Sequence, residues 1–506
     1  MLQSILKKNQ SELSKKAAII CNNNSYTYTD LWVDANKLAH WLGSNLGLQD
    51  RVGIILDNSY EAVISIYGIV ISNRVCIPLD SDMHKKNIKY IIDDASISLV
   101  LTSSKYLKKV EGVNKENKFK IILTDNIKAN EKYNSINKIL QNISANQFKE
   151  SVKTSDSSTA FILYTTGTTG PKKGVMLNHA NLLAATRNIN KFMQIGPWAI
   201  ESLPMRLSHS FGFARLRCVF DVGGTVILEN GFLRPEKILF NMKLNKANAI
   251  SSVPAGFSIL LDYYKKQFEE IGPQIKYIEI GSAFMRPLHK KILMKLCPNA
   301  RICMHYGLTE GSRSTFIDFH SEKDKLHTVG KPSPNVEIRI MGENGEKLGS
   351  NQTGEILVKG EMVTKGYFNK SDMTNEYLKN GWLQTGDIGM IDDEGYVNLL
   401  GRKEEIINIG GLKVAPGEIE EILLKYAGIS EAVVLGVQSS DDISSEMIKA
   451  FIVTDNELSI KDLEKFCLEN MESYKLPSEF EIIECLPKTA SGKIRRHLLI
   501  KNSNKG

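Results

Sequence analysis

Short apolar runs alternate with stretches of helical periodicity through the first half of the chain. Val52 to Leu56 is one such run, and Val75 to Leu79 follows it after a helical stretch. Strand, helix and strand in this order are typical of an α/β layer. Similar apolar runs recur at 121–123, 161–164, 225–228 and 277–281. The pattern therefore predicts a large α/β body.

The pattern changes after about residue 325. Short β-type segments punctuated by glycine occupy 336–340, 354–358 and 395–400, which predicts a small β-rich subdomain. Beyond Arg402 the periodicity predicts a small α+β domain made of a helix, two strands and a second helix, at 416–426, 431–437, 447–454 and 460–471.

Length and composition fit a packed enzyme of more than one domain. The chain has 506 residues, beyond the size at which one hydrophobic core stops growing. With 42% hydrophobic and 24% charged residues, it is neither disordered nor fibrous. The net charge of +7 is spread along the chain, so nucleic acid is not an expected partner.

Membrane spans, disulfides and structural zinc are not expected. The most apolar stretch, 52–79, is interrupted by Asp57, Asn58, Glu61 and Arg74. The seven cysteines are odd in number and include no Cys-x-x-Cys pair. These features favour a reducing, cytoplasmic location.

A loop rich in glycine and threonine follows the apolar run at 161–164. Residues 164–175 read YTTGTTGPKKGV, with three glycines, four threonines and two lysines. Glycines allow tight turns, while backbone amides, hydroxyls and ammonium groups suit a polyphosphate. The spacing is not that of a P-loop, and a loop of this composition is also compatible with an ordinary flexible turn.

With four further motifs in the same order, the chain resembles the adenylate-forming superfamily, which includes acyl-CoA synthetases, non-ribosomal peptide adenylation domains and firefly luciferases. The motifs are HYGLTE at 305–310, WLQTGD at 382–387, GRKEEII at 401–407 and PKTASGK at 487–493. The resemblance implies an N-terminal adenylation domain over 1–401, a hinge at 402–405 and a mobile C-terminal domain over 406–506.

The resemblance also implies the reaction. A carboxylic acid and ATP would form an acyl-AMP with release of pyrophosphate, and coenzyme A would then accept the acyl group as a thioester. Because a carboxylate must attack an anionic α-phosphate, the site has to supply positive charge and hold the reactants in line. Mg²⁺ is the expected metal. An enzyme that loads the phosphopantetheine of a carrier protein would carry the same motifs and remains an alternative.

The family's ATP site maps onto residues of this chain. Glu310 would hold Mg²⁺, and Thr309 would contact the α-phosphate. Asp387 would bind the ribose with Arg402 beside it, and Tyr306 would stack on adenine. The complete ATP-binding set is Thr165, Thr166, Gly167, Thr168, Thr169, Gly170, Lys173, Gly281, Ser282, Ala283, Tyr306, Gly307, Asp387 and Arg402.

The C-terminal domain would contribute to both half-reactions. Lys493 matches the lysine that stabilises the adenylation transition state, so it is expected to be catalytic. Lys403 and Glu404 fall at the family hinge, and Glu404 stands where relatives usually carry aspartate or lysine. Gly410, Gly411 and Lys413 would line the route of a pantetheine arm after rotation, although a glycine pair also suits a simple turn.

The resemblance places the acyl pocket on 203–212, 252–257 and 281–284. Its expected lining is Arg206, His209, Ala255 and Gly256, with His209 beside the reacting carboxylate. No aspartate near 208–212 could hold a substrate amine, which disfavours amino acids. Three arginines near the first segment either hold a second acidic group or face solvent or coenzyme A: Arg206, Arg215 and Arg217.

Two further functional classes are alternatives. A catalytically silent nucleotide-binding scaffold would be expected to have lost the key side chains. The chain retains all five of them: Thr309, Glu310, Asp387, Arg402 and Lys493. A luciferase-like oxygenase is the remaining class, and oxygen consumption with an acyl-AMP would be its signature.

Overall fold

A computed structural model describes most of the chain. It covers residues 1–125, 132–143, 154–165, 172–409, 412–438, 446–454, 457–489, 494–496 and 498–499. Within these ranges, no helix is both long and apolar enough to cross a membrane. Six of the seven cysteines are buried and Cys485 is exposed, and none forms a disulfide.

The strands are, in chain order, β1 (Ala17–Cys21), β2 (Asn24–Thr27), β3 (Arg51–Ile55), β4 (Val75–Pro78), β5 (Ile97–Thr102), β6 (Lys120–Leu123), β7 (Asn134–Ser135), β8 (Thr159–Thr165), β9 (Lys173–Asn178), β10 (Ile200–Leu203), β11 (Thr225–Leu228), β12 (Ala249–Ser252), β13 (Tyr277–Gly281), β14 (Arg301–Tyr306), β15 (Thr315–Asp318), β16 (Lys331–Pro332), β17 (Glu337–Met341), β18 (Gly354–Lys359), β19 (Leu378–Lys379), β20 (Trp382–Ile391), β21 (Val397–Arg402), β22 (Ile407–Ile409), β23 (Leu412–Val414), β24 (Ile429–Gln438), β25 (Glu446–Thr454) and β26 (Glu479–Ile482).

The α-helices are α1 (Gln3–Glu12), α2 (Tyr28–Asn45), α3 (Tyr60–Ile71), α4 (Lys85–Asp94), α5 (Ser104–Glu111), α6 (Ile136–Asn142), α7 (His179–Met193), α8 (Ser210–Asp221), α9 (Pro235–Leu244), α10 (Pro254–Tyr263), α11 (Lys265–Ile271), α12 (Pro287–Leu296), α13 (Ser371–Tyr377), α14 (Pro416–Leu423) and α15 (Ile460–Asn470).

Two large sheets form the α/β body. A seven-stranded sheet has the order β7-β6-β5-β3-β4-β8-β9, and a nine-stranded sheet has the order β16-β15-β14-β13-β12-β10-β11-β1-β2. Most neighbouring strands are parallel, as expected where helices connect them. The pair β8 and β9 is antiparallel, which brings the two ends of the glycine- and threonine-rich loop together.

Helices cover both faces of the nine-stranded sheet. On one face, Ile278, Ile280 and Ile302 pack in a core with residues of α9 to α12. On the other, Tyr277 and Cys303 pack with residues of α7 and α8. Because alternate residues of a strand face opposite sides, the odd-numbered positions of β13 point toward α8. This face carries part of the site described below.

A five-stranded antiparallel sheet of β17 to β21 follows and forms the β-rich subdomain. In the C-terminal part, β24, β25 and β26 form a three-stranded sheet, and α14 and α15 pack in its core through Ile419 and Leu463. The predicted α/β body, β-rich subdomain and α+β domain are confirmed. The exact domain and hinge boundaries stay a prediction.

Candidate active site

The glycine- and threonine-rich loop joins two paired strands. Thr165 ends β8 and lies directly opposite Lys173, the first residue of β9. The predicted phosphate-binding residues Thr166, Gly167, Thr168, Thr169 and Gly170 lie outside the described residues. The pairing of β8 with β9 nevertheless fixes the positions of the two ends of the loop.

Lys173 reaches the predicted metal ligand. Its Nζ lies 3.4 Å from Oε1 of Glu310 and donates to the Tyr367 hydroxyl at 3.3 Å. The Tyr367 hydroxyl donates in turn to the same Glu310 oxygen at 3.0 Å. Glu310 is only 7% exposed, so these contacts orient a carboxylate that has little water around it. These contacts hold one carboxylate oxygen in place, and the metal-binding role of Glu310 stays a prediction.

Gly307 and Thr309 lie on the turn between β14 and β15. A Cβ atom at Gly307 would lie 2.5 Å from the backbone nitrogen of Arg313, so the turn requires glycine there. Thr309 lines a small buried cavity whose other lining residues are Leu163, Leu177, Asn181, Leu182, Ala185, Ser210, Arg217, Ser312 and Met362. The predicted α-phosphate ligand thus lies beside a largely apolar cavity.

Asp387 is held from two sides. The Tyr306 hydroxyl donates to its Oδ2 at 2.5 Å, and Nη1 of Arg402 donates to its Oδ1 at 2.7 Å. Burial and the neighbouring carboxylate keep the pKa of Tyr306 well above its usual value, so the phenol stays a donor. Each carboxylate oxygen can accept more than one hydrogen bond, and the ribose-binding role of Asp387 stays a prediction.

Gly281 to Ala283, three of the predicted ATP-binding residues, lie at the end of β13. Ser282 has a φ of +77°, a left-handed conformation that is costly for a residue with a side chain. A Cβ atom at Gly281 would lie 2.1 Å from Cε1 of His305, because the imidazole lies against this glycine. This segment is therefore a strained turn at a tightly packed strand end.

His209 and Arg206 surround an aspartate that sequence reasoning did not identify. Nε2 of His209 lies 2.9 Å from Oδ2 of Asp80, and Arg206 pairs closely with Asp80 and Asp82. Burial opposes ionisation of Asp80, but the His209 contact and the Arg206 charge hold its pKa well below the usual range. Asp80 directly follows the apolar run at 75–79, the one signal in the sequence that could have suggested it.

Ala255 and Gly256 begin α10. A Cβ atom at Gly256 would lie 2.3 Å from the Ser252 hydroxyl and 2.4 Å from the Phe232 ring. The glycine therefore allows α10 to start directly against these side chains. The expected acyl-pocket role of Ala255 and Gly256 stays a prediction.

Arg215 does not face solvent. It forms a buried charge cluster with Glu201, Glu279 and Arg313. Arg215 lies 2.6 Å from Glu201 and 2.8 Å from Glu279, and Arg313 lies 3.0 Å from Glu279. Burial opposes charge on Glu279, but the two arginines hold its pKa well below the usual range. The solvent-facing alternative for Arg215 is therefore wrong, and its guanidinium is already paired with Glu201 and Glu279.

Arg217 is buried as well, which also rules out an exposed role. Its Nε donates to the Thr186 hydroxyl at 3.3 Å, and its guanidinium lies 4.5 Å from the centre of the Phe213 ring. Burial lowers the pKa of Arg217 to about 10, so the side chain is still protonated at neutral pH.

Residues of the predicted hinge and of the predicted pantetheine route contact the β-rich subdomain. Lys403 donates to Glu355 at 2.9 Å, and Lys413 pairs closely with Glu343. Glu404 is exposed, with an oxygen 3.8 Å from Nε of Arg402. Gly410, Gly411 and Lys493 lie outside the described residues, so their roles stay predictions. Lys488 and Ile494, which flank the segment with Lys493, form an antiparallel bridge.

Across the described part of the chain, no three histidine, cysteine or acidic side chains come close enough to form a metal site. Glu310, the predicted Mg²⁺ ligand, would then act as a single carboxylate ligand. That suits Mg²⁺, which usually binds one or two carboxylates together with substrate phosphates and water.

The chain matches the family model of AMP-binding enzymes over residues 6–368 and the model of their C-terminal domain over residues 418–493. It is 31% identical to a long-chain-fatty-acid–CoA ligase of Bacillus subtilis (strain 168), over 99% of this chain and 94% of the relative. It is 28% identical to a 2-succinylbenzoate–CoA ligase of Bacillus velezensis, over 96% and 95%.

The fold is that of an o-succinylbenzoate coenzyme A synthetase from Bacillus subtilis solved with ATP and magnesium. The TM-score is 0.81 at 24% identity, covering 98% of this chain and 99% of that one. The chain therefore belongs to the AMP-binding enzymes of the adenylate-forming superfamily and is an AMP-forming, acyl-CoA-synthetase-like enzyme.

Proposed function

We propose that this enzyme joins a carboxylic acid to coenzyme A in two steps, through an acyl-AMP. The observation that carries the proposal is the arrangement of Lys173, Glu310 and Tyr367 at the mouth of the phosphate loop. An ammonium group and an oriented carboxylate at this point suit a metal-bound triphosphate.

Residues of this chain would bind both the ribose and the phosphates of ATP. Asp387, oriented by Tyr306 and Arg402, would accept hydrogen bonds from the ribose. Glu310 would hold Mg²⁺, which neutralises phosphate charge when it is bound. Lys493 would supply positive charge to the transition state of adenylation, and Thr309 would contact the α-phosphate.

Coenzyme A is the acceptor we propose. The curated relatives described above are named as CoA ligases, and both align over nearly the whole chain. Gly410, Gly411 and Lys413 would contact the pantetheine arm after the C-terminal domain rotates about Lys403 and Glu404. No comparable observation supports a carrier protein as the acceptor of the acyl group.

A hydroxylamine-trapping assay with and without coenzyme A tests the proposal. The full-length protein is incubated with ATP, Mg²⁺ and a panel of fatty, aryl, hydroxy and dicarboxylic acids. Formation of a hydroxamate with one acid class, and of its CoA thioester when coenzyme A replaces hydroxylamine, is expected. ATP binding without release of pyrophosphate from ATP in the presence of any of these acids would instead support a silent nucleotide-binding protein.

A further inference from the structure

We propose that the small cavity beside Thr309 binds a monovalent inorganic anion such as chloride, which the guanidinium of Arg217 holds. The cavity lies between α7, α8 and the turn that follows β14. This anion takes no part in the proposed function, so either proposal can fail without the other. The inference rests on the buried charge of Arg217, on the first turn of α8 and on the residues that line the cavity.

Arg217 is a buried charge without an acidic partner. The residue is 2% exposed. Within the described ranges no carboxylate pairs with its guanidinium, whose polar contact is the hydrogen bond from Nε to the Thr186 hydroxyl at 3.3 Å. With a pKa of about 10, lowered by burial, the group stays charged at neutral pH. Because an isolated buried charge is costly and a water molecule cannot neutralise it, we expect a counter-anion.

The Arg217 side chain extends along α8 toward the first turn of the helix. Helical side chains lean toward the N-terminus. In agreement, the Arg217 guanidinium lies 4.5 Å from the centre of the Phe213 ring, one turn earlier in the helix. Ser210, two turns before Arg217, lies on the same face of α8 and also lines the cavity. Arg217 therefore brings its charge to a cavity that the first residue of its own helix borders.

The start of α8 adds positive character to this cavity. The helix is 12 residues long, and the side chain of His209, at its N-cap, accepts no hydrogen bond from the first turn. Unpaired amide groups at a helix N-terminus carry partial positive charge. An anion beside Ser210 is therefore favoured by the helix as well as by Arg217.

The lining of the cavity offers hydrogen-bond donors and no acid. Among the described residues that line it, none is aspartate or glutamate. Ser210, Thr309 and Ser312 contribute hydroxyl groups and are partly exposed, so the donor side of the cavity is the side nearest to solvent. The space is on the scale of a single water molecule, which suits a halide better than a polyatomic anion.

Thermal unfolding of the full-length protein without ATP is the first test. Sodium chloride is compared with sodium gluconate at equal concentration, because gluconate is too large for the cavity and the ionic strength is unchanged. We expect chloride to raise the unfolding temperature by about 2 °C, since an ion that binds only the folded state stabilises it. Equal unfolding temperatures in the two salts would overturn the proposal.

Arg217→Met removes the charge and should abolish the difference between the two salts. The matched control is Arg301→Met, which should keep the difference. Arg301 also lies over a phenylalanine ring, 4.9 Å from the centre of Phe192, but it has the Asp318 carboxylate at 3.6 Å. A salt difference that persists in Arg217→Met would be a general effect of chloride and would contradict the site.

Diffraction with bromide tests the site without a variant, and so applies even where Arg217→Met does not fold. Crystals of the wild-type protein grown without halide are soaked in sodium bromide, and we expect an anomalous peak in contact with the Arg217 guanidinium. Density for a water molecule at this position would overturn the proposal. A bromide peak without any effect of chloride on unfolding would show an adventitious ion only and would overturn it as well.

Discussion

Arg402, the first residue of the predicted hinge, donates a 2.7 Å hydrogen bond to Asp387, the predicted ribose ligand. The two residues are direct partners in the pairing of β20 and β21. One ion pair therefore connects the predicted ribose ligand with the predicted hinge.

The first prediction concerns this carboxylate. Asp387→Asn keeps the size of the side chain but removes the charge that pairs with Arg402, so we expect the KM for ATP to rise about tenfold. Pyrophosphate exchange at varied ATP concentration measures it. Asp392→Asn, which breaks a pair with Lys325, is the control and should not change this KM. Equal KM values for wild type and Asp387→Asn would exclude the ribose role.

The second prediction concerns the metal. Glu310→Gln should lower adenylation about a hundredfold or more, because the ligand charge is lost while the shape remains. Tyr367→Phe removes the hydroxyl that orients Glu310 and should raise the Mg²⁺ concentration needed for half-maximal rate about tenfold. The matched variant is Tyr377→Phe, whose ring also faces Lys173. A Tyr367→Phe enzyme with normal Mg²⁺ dependence would argue against this orientation.

The third prediction separates the two half-reactions. Lys493→Ala should abolish acyl-AMP formation but leave thioester formation from supplied acyl-AMP nearly intact. Glu404→Pro restricts a backbone torsion at the hinge and should slow thioester formation more than adenylation. Each half-reaction is measured alone, since overall turnover cannot tell the two defects apart. Equal loss of both halves in Lys493→Ala, or no loss in Glu404→Pro, would rule out alternating use of the C-terminal domain.

The fourth prediction concerns stability. Arg215→Met leaves Glu201 without its arginine and Glu279 with one arginine fewer inside the protein, so we expect a loss of about 3–5 kcal/mol in the free energy of unfolding. Arg206→Met breaks half-exposed pairs and should cost about 1 kcal/mol or less. Urea unfolding of both variants measures the difference. Similar losses would mean that the buried pairs contribute no more than the exposed ones.

The fifth prediction is a pH dependence. Burial lowers the pKa of His179 to about 4, so the folded protein keeps this imidazole neutral, and its Nδ1 accepts a hydrogen bond from the Leu2 amide. An unfolded chain binds the proton at about pH 6.5. Neutral His179 therefore makes its whole contribution to the free energy of unfolding above about pH 6.5. This contribution, about 3 kcal/mol in total, is lost as the pH falls toward about 4.

This pH dependence is tested by measuring the free energy of unfolding of wild type and His179→Asn between about pH 7.5 and about pH 4.5, which bracket the transition at about 6.5. The variant should be less stable at neutral pH but lose less stability on acidification. His327→Asn, at an exposed position, is the control. Parallel pH curves for wild type and His179→Asn would contradict the prediction.

The sequence predicted the helices and strands well, because hydrophobic periodicity and the residues that end an element are local properties of the chain. The apolar run 225–228 coincides with β11, and the run 277–281 with β13. The helix predicted at 460–471 is observed at 460–470. Motif order also singled out Glu310 and Asp387, whose roles stay predictions.

Contacts between distant segments were not predictable in the same way. Tyr367 reaches Glu310 across 57 positions of sequence, and Glu279 reaches Arg215 across 64. The segment around Arg215 contains several basic residues, whereas the acidic residues that pair with Arg215 lie on strands distant in the sequence. Without those partners, the arginines could only be read as substrate ligands or exposed charges.

The single exposed cysteine allows the C-terminal domain to be labelled selectively at one thiol. Cys485 is exposed, whereas the other six cysteines are buried, and burial raises the pKa of Cys218 and Cys297 to about 12. A maleimide dye should therefore label the native wild-type protein at a single position without removal of any cysteine. Because Cys485 lies three residues after β26, the dye would report the movement of that domain during turnover.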